Sequence, residues 1–166
     1  MKQVHHKIHA DNRYLQALIA AVGSAFCIAI LSGIDQVTQT NYLLVAPFGA
    51  TMVLVFGLHQ SPLAQPSNII FGHLVTAAVG LAFINYLPVN PYTLGGSVGI
   101  GIFLMIALKV THPPAGGNPL LIMLTGHTDW MFLLTPILTG TTVIVVVAFL
   151  YHLLIARNEY PFVIRD

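Results

Sequence analysis

Charge is what this sequence has least of: Asp, Glu, Lys and Arg make up 7% of its 166 residues, where a soluble domain carries about 25%. Between Tyr14 and Ala156 only Asp35, Lys109 and Asp129 are of these types. Polar surface on that scale cannot cover a soluble fold. Cysteine is as scarce. The single Cys27 excludes an intramolecular disulfide, and no Cys/His spacing suggests zinc, so no metal or cofactor is expected. Cys27 reads as a small packing residue. Polar linkers are missing too, so the chain is expected to form one membrane domain over residues 14–156, with a basic tail at 1–13 and a second tail at 157–166, and with no nucleic-acid partner.

In place of these come long apolar segments. A bilayer core about 30 Å thick takes roughly 20 helical residues to cross. Residues 14–34, 68–87 and 131–156 reach that length, residues 42–58 and 94–110 are shorter and rich in glycine, and residues 114–124 are too short to cross unaided. The first exceeds a signal-peptide core and reads as an uncleaved span. The expected fold is therefore an all-α polytopic membrane protein. Four spanning helices plus two short Pro/Gly-initiated broken or re-entrant helices, or six short crossings, both satisfy the pattern. Lysines and arginines at Lys2, Lys7, Arg13, Arg157 and Arg165 place both termini in the cytoplasm, with an even number of crossings. The bacterial inner membrane is the expected location.

An internal two-fold repeat emerges when Pro47-Phe48-Gly49-Ala50 is laid over Pro114-Ala115-Gly116-Gly117, which also brings Leu54 onto Leu121. Each half then reads as a long helix, a short Pro/Gly-initiated element and another long helix. Repeats with interrupted helices are a recurring transporter plan, with the site between the repeats.

Polar, charged and helix-breaking residues crowd together in one run, from Leu108 through Lys109, Thr111, His112, Pro113, Pro114, Gly116, Gly117 and Asn118 to Pro119. A residue before proline is pushed out of the α region, and proline suits the first helical position. One helix should end near Thr111 and another begin near Pro114. The break would free the N–H groups of Ala115, Gly116 and Gly117 as an anion site at a helix N-terminus, with Lys109 and His112 adding charge and a titratable donor. By the repeat, Gly49, Ala50 and Thr51 would supply a second set of donors. Lys109 has a plainer reading, compensation of the helix dipole or reach to the interface, and His112 could simply cap the break.

A second patterned stretch runs Ser61-Pro62-Leu63-Ala64-Gln65-Pro66-Ser67-Asn68, then Gly72-His73. Asn68 is suited to cap the following helix. His73, deep in an apolar helix, needs a partner, whether a packing hydrogen bond or a proton. A histidine that gains a proton on binding an anion would lose it again on release. Asp129 and Trp130 read as a cap and an interfacial anchor of the last span, and Tyr151, His152 and Arg157 as marks of the opposite interface. His5, His6 and His9 read as part of a solvated tail. Gly95, Ser97 and Gly99 give small-residue spacing for close helix contact, within one chain or between subunits.

Thr111-His112-Pro113-Pro114-Ala115-Gly116 resembles the signature of the HPP family of integral membrane proteins, and the stretches Pro47 to Ala50 and Ser61 to His73 are similar to its other patterned region. The resemblance spans residues 14–156. It implies a compact domain of four spanning helices, with relatives in bacteria and plastids, some of them associated with nitrite transport. The sequence departs from the family pattern at Gly117-Asn118-Pro119, where small or apolar residues are the expectation.

The resulting expectation is a permease, not an enzyme, for a small monovalent anion, nitrite by resemblance. The binding set is Lys109, His112, Ala115, Gly116, Gly117, Asn118, Gly49, Ala50, Thr51, Asn68 and His73. So small a chain is expected to act as a homo-oligomer. The competing reading is a membrane-embedded enzyme or assembly subunit acting on a lipid or quinone.

Overall fold

The computed structural model describes residues 13–39 and 43–162. Lys2, Lys7, Arg165 and the histidines at 5, 6 and 9 lie outside them. Helix is the only regular structure among the described residues. Six helices follow one another: α1 (Arg13–Thr38), α2 (Ala46–Met52, prolonged by a π turn, Val53–Gly57), α3 (Pro66–Tyr86), α4 (Pro91–Ala107), α5 (Asn118–Thr125) and α6 (Thr139–Tyr151, prolonged by His152–Ala156). Three spans are long and apolar enough to cross a bilayer, Arg13–Thr38, Pro66–Tyr86 and Trp130–Ala156, and α4 is a shorter apolar helix of 17 residues. The protein is an all-α, multi-pass membrane protein. Leu18, Phe103, Leu124 and Leu154 are each more than 60% exposed on its outside, an apolar surface suited to contact with lipid.

Contacts between helices fix their directions. Along α3, Asn68 meets Thr111, Gly72 meets His112, Gly80 meets Pro119 and Ile122, and Asn85 meets Thr128, so α5 runs parallel to it. Along α4 the order reverses, with Met105 at Gly72, Gly101 at Thr76 and Gly96 at Phe83. The loop after α2 and the start of α1 line one cavity, while Asp35 near the end of α1 accepts from Leu43 N, just ahead of α2, so these two are antiparallel. Phe48 packs on Gly140 and Val55 on His152, so α6 runs with α2. Consecutive helices therefore alternate in direction, and the two short ones, α2 and α5, alternate like the rest. Each half holds three helices in the order long, short, long, and an odd number per half turns the second half over, the inverted plan of many transporters.

Local chemistry explains the boundaries. Asn90 opens α4 with a capping box, accepting from Thr93 N at 3.1 Å while Thr93 Oγ1 accepts from Asn90 N at 3.0 Å. α5 ends at Gly126, left-handed at φ 79°. α4 stops at Ala107, short of the expected Thr111. Lys109 takes the left-handed conformation at φ 58°, its N–H bonds to Ile106 O at 3.1 Å and that of Val110 to Met105 O at 2.9 Å. That pair of bonds is a Schellman motif, which spends the helix's last carbonyls and turns the chain before the prolines. α3 begins at Pro66 with no side-chain cap, so Asn68 is not the cap it was expected to be.

Packing relies on small residues, as it must where lipid supplies no hydrophobic drive between helices. A Cβ at Gly23, Gly72, Gly80 or Gly140 would come within 3 Å of its neighbour. Gly95 and Gly99 have nothing within 4 Å and face outward, so they make no contact inside the chain. Cys27 is fully buried, as expected of a packing residue. Tyr151 and His152 are buried, contrary to the interfacial reading: Tyr151 OH donates to Ile19 O at 2.8 Å, and His152 Nε2 bonds Val55 O at 2.9 Å. Asp129 does cap, accepting from Met131 N at 2.9 Å, and Trp130 is exposed.

Candidate functional site

Four of the expected residues meet in the interior. Thr51 from α2, His73 from α3, His112 from the break after α4 and Asn118 at the start of α5 are each fully buried. His73 lies about 10 Å along α3 from its first residue, at 1.5 Å per residue. His112 is held extended at φ −137° because Pro113 follows it. That conformation brings its ring to Thr51 on α2 and to 5.1 Å from the ring of His73. Gly72 lets the segment approach, since Val110 O and His112 Cβ stand where its own Cβ would be.

Hydrogen bonds tie the four side chains into one line. Thr51 Oγ1 stands 3.1 Å from His73 Nε2 and 3.0 Å from His112 Nε2. His112 Nδ1 lies 2.7 Å from Leu63 O, and a carbonyl only accepts, so Nδ1 carries the proton and Nε2 is a lone pair. At the other end the Asn118 amide donates to His73 Nδ1 at 3.0 Å and to His73 O at 3.1 Å. His73 therefore carries its proton on Nε2. The same amide reaches Thr76 Oγ1 at 3.0 Å, while Asn118 Oδ1, buried, has no partner. Every hydrogen-bonding partner of the two imidazoles is neutral.

The remaining expected site residues stand apart. Lys109 is exposed at the left-handed end of α4 and is not among the partners of either histidine; its place is the plainer one, a helix C-terminus. The N–H donors expected from Ala115, Gly116 and Gly117 are spent, because Pro113–Gly117 forms a 3-10 turn, in which each N–H bonds the carbonyl three residues back, as Ala115 N does to His112 O at 3.0 Å. Gly49 and Ala50 are exposed, and Gly49 lines a shallow groove beside Ser24, Ala25 and Ile28 on α1. Asn68 Nδ2 donates to Thr111 O at 2.9 Å and so fastens the broken segment to α3. The two half-length helices do start side by side, with Pro47 against Gly117. Their side chains, not their free N–H groups, make the site.

Lys109→Gly is accordingly expected to leave the fold intact and to raise stability by about 0.5–1 kcal/mol, because glycine takes a positive φ without a Cβ penalty. The unfolding midpoint in detergent checks this.

The loop that receives His112 is itself clamped. Gln65 Nε2 donates to Ser61 O and His59 O, Gln65 Oε1 accepts from Phe162 N at 2.8 Å, and Tyr160 OH donates to Ala64 O at 3.0 Å. Residues 158–162 are thus folded under the helices instead of trailing as a free tail. Beside them opens a cavity of about 870 Å³ lined by Arg13, Gln16, His59, Gln60, Ser61 and Asn158. Burial, and secondarily His152 at a ring distance of 4.8 Å, holds His59 below the ordinary histidine range, which leaves Arg13 as the charged group of this lining. Sequence reasoning missed Thr76 and the Leu63 carbonyl. A threonine three residues after a buried histidine on the same helix face was the available signal for the first.

Comparison with known proteins adds the family. A match to the HPP transmembrane region covers residues 9–161. The chain is 27% identical over 150 residues to a transmembrane protein of Dictyostelium discoideum, covering 86% of this chain and 53% of that one. It is 28% identical over 141 residues to another from the same organism, covering 81% and 45%. The chain spans about half the length of these curated relatives. No solved structure matches it. With both patterned stretches brought together around one buried cluster and the match running nearly end to end, this chain belongs to the HPP family of transmembrane proteins.

Proposed function

We propose that this protein is a permease for a small monovalent anion, nitrite first among the candidates, and that the solute passes the Thr51, His73, His112 and Asn118 cluster. The observation that carries the reading is the cluster itself: four fully buried polar side chains where two half-length helices begin, in a domain whose exterior is apolar. Burying polar groups in a membrane interior is expensive, and such groups mark solute and proton pathways. The inverted order of long, short and long helices is a transporter plan. The cavity beside His59 and Ser61 supports an entry mouth at the end where Arg13 and Asn158 stand, which the positive-inside bias makes the cytoplasmic end. Nitrite rests on the resemblance of the two motifs to relatives associated with that ion. A second copy of the chain is supported by the outward-facing Gly95 and Gly99 on α4. The bacterial inner membrane and a purely transporting, non-catalytic role complete the proposal.

Anion uptake into proteoliposomes tests it, with nitrite, nitrate, formate and chloride compared. His73→Ala and His112→Ala are expected to lower flux by about tenfold or more, the equivalent of a buried hydrogen-bond partner left unmade, and Lys109→Ala to leave it unchanged. Absence of flux for every anion with folded wild-type protein would overturn the reading in favour of an enzyme or assembly subunit.

A further inference from the structure

We propose that Asn118, His73, Thr51 and His112 form a directed proton relay, so that the anion crosses together with a proton. This rests on the permease reading and adds the coupling ion. The site holds no fixed positive charge: α2 gives the two imidazoles a hydroxyl, α5 an amide, and the loop before α3 a carbonyl. A buried anion in so neutral a place is costly unless a proton comes with it. The outer partners also fix which way each inner bond points. Leu63 O compels the proton of His112 onto Nδ1, and the Asn118 amide compels that of His73 onto Nε2. His73 Nε2–H then donates to Thr51 Oγ1, and the one hydroxyl proton of Thr51 donates to His112 Nε2. Every bond in the line points the same way, as a relay requires.

The orphan acceptor marks where the proton enters. Asn118 Oδ1 is buried with no donor, a deficiency that an O–H of a protonated acid or a water would fill and a bare anion would worsen. The step balances as one proton in and one out. The acid's proton goes to His73 Nδ1 once the Asn118 amide turns aside, and the Nε2 proton of His73 goes to Thr51 Oγ1. The hydroxyl proton goes on to His112 Nε2, and the Nδ1 proton of His112 leaves to water on the side of Leu63. The anion moves past the cluster to that same side, so that one proton and one anion cross together, and nothing is oxidised or reduced. Thr51 also has Pro47 O within reach at 3.2 Å. With one proton and two acceptors, its hydroxyl conducts when turned to His112 and breaks the line when turned to Pro47.

The test uses full-length protein in liposomes loaded with a pH-sensitive dye, driven by a nitrite or formate gradient, with empty liposomes giving the unaided permeation of each acid. Thr51→Val keeps the shape and removes the hydroxyl, whereas Thr51→Ser keeps the hydroxyl. Wild type is expected to take up protons with the anion. Thr51→Val should lose about tenfold or more of both fluxes, the lower end of what a positioned proton carrier contributes, and Thr51→Ser should stay close to wild type. Anion uptake without protons overturns the relay alone, as does a Thr51→Val protein that transports normally or a folded Thr51→Ser protein that fails equally. A wild type that moves no anion overturns the permease reading and, with it, the coupling.

Discussion

Gly72→Ala is expected to abolish transport while adding a single methyl group. A Cβ there would stand 2.9 Å from His112 Cβ and 2.9 Å from Val110 O. The second of these is backbone and cannot swing aside, so α3 and the broken segment must separate. The bonds from Thr51 to the two histidines are 3.1 and 3.0 Å long, and a further half ångström ends them as hydrogen bonds. Overpacking of this kind costs about 1–3 kcal/mol, so the variant should fold with a lowered unfolding midpoint yet show no flux above empty liposomes. Gly101→Ala is the control. Its added Cβ would meet Thr76 Cγ2 at 3.4 Å and Pro119 Cγ at 3.7 Å, side-chain atoms with some room to move. Flux in Gly72→Ala equal to that in Gly101→Ala would show that close approach of His112 to α3 is not required.

The helices were legible because their signals are local. Apolar runs punctuated by proline gave α2 and α3 to within a few residues, and Pro136 within the last span did not hide its extent. The end of α4 was not legible because lysine, not glycine, occupies its left-handed position, and the run from Leu108 to Thr111 carries no stop signal of its own. The site divides along the same line. His112 and Asn118 stood out as polar residues in an apolar stretch, and Thr51 entered only by overlaying the two halves. Their mutual contact is tertiary, and no spacing reveals it. The anion-binding N–H groups were a sound inference from a generic helix start, but Pro113–Gly117 winds as a 3-10 turn and uses those donors. Thr76 escaped notice because a threonine in an apolar helix ordinarily bonds back to its own backbone, and this one does so as well, donating to Gly72 O at 2.9 Å.

Asn118→Leu separates a structural role from a transporting one. The substitution removes the amide's contacts to His73 Nδ1, His73 O and Thr76 Oγ1, which share its two hydrogens, and with them the buried acceptor that has no donor among the described residues. His73 O lies inside α3 and keeps its helical bond from the N–H four residues on. What remains unpaired is His73 Nδ1, so one orphan is exchanged for another, and the net change in stability should stay within about 1 kcal/mol. Transport should nonetheless fall by about tenfold or more, since both the docking acceptor and the group that fixes the tautomer of His73 are gone. If Asn118 merely held α5 to α3, the ordering would reverse, with the unfolding midpoint dropping sharply and flux declining only in step with folded protein. A polar residue whose removal leaves stability almost untouched and takes the activity away is one the membrane interior tolerates for its chemistry.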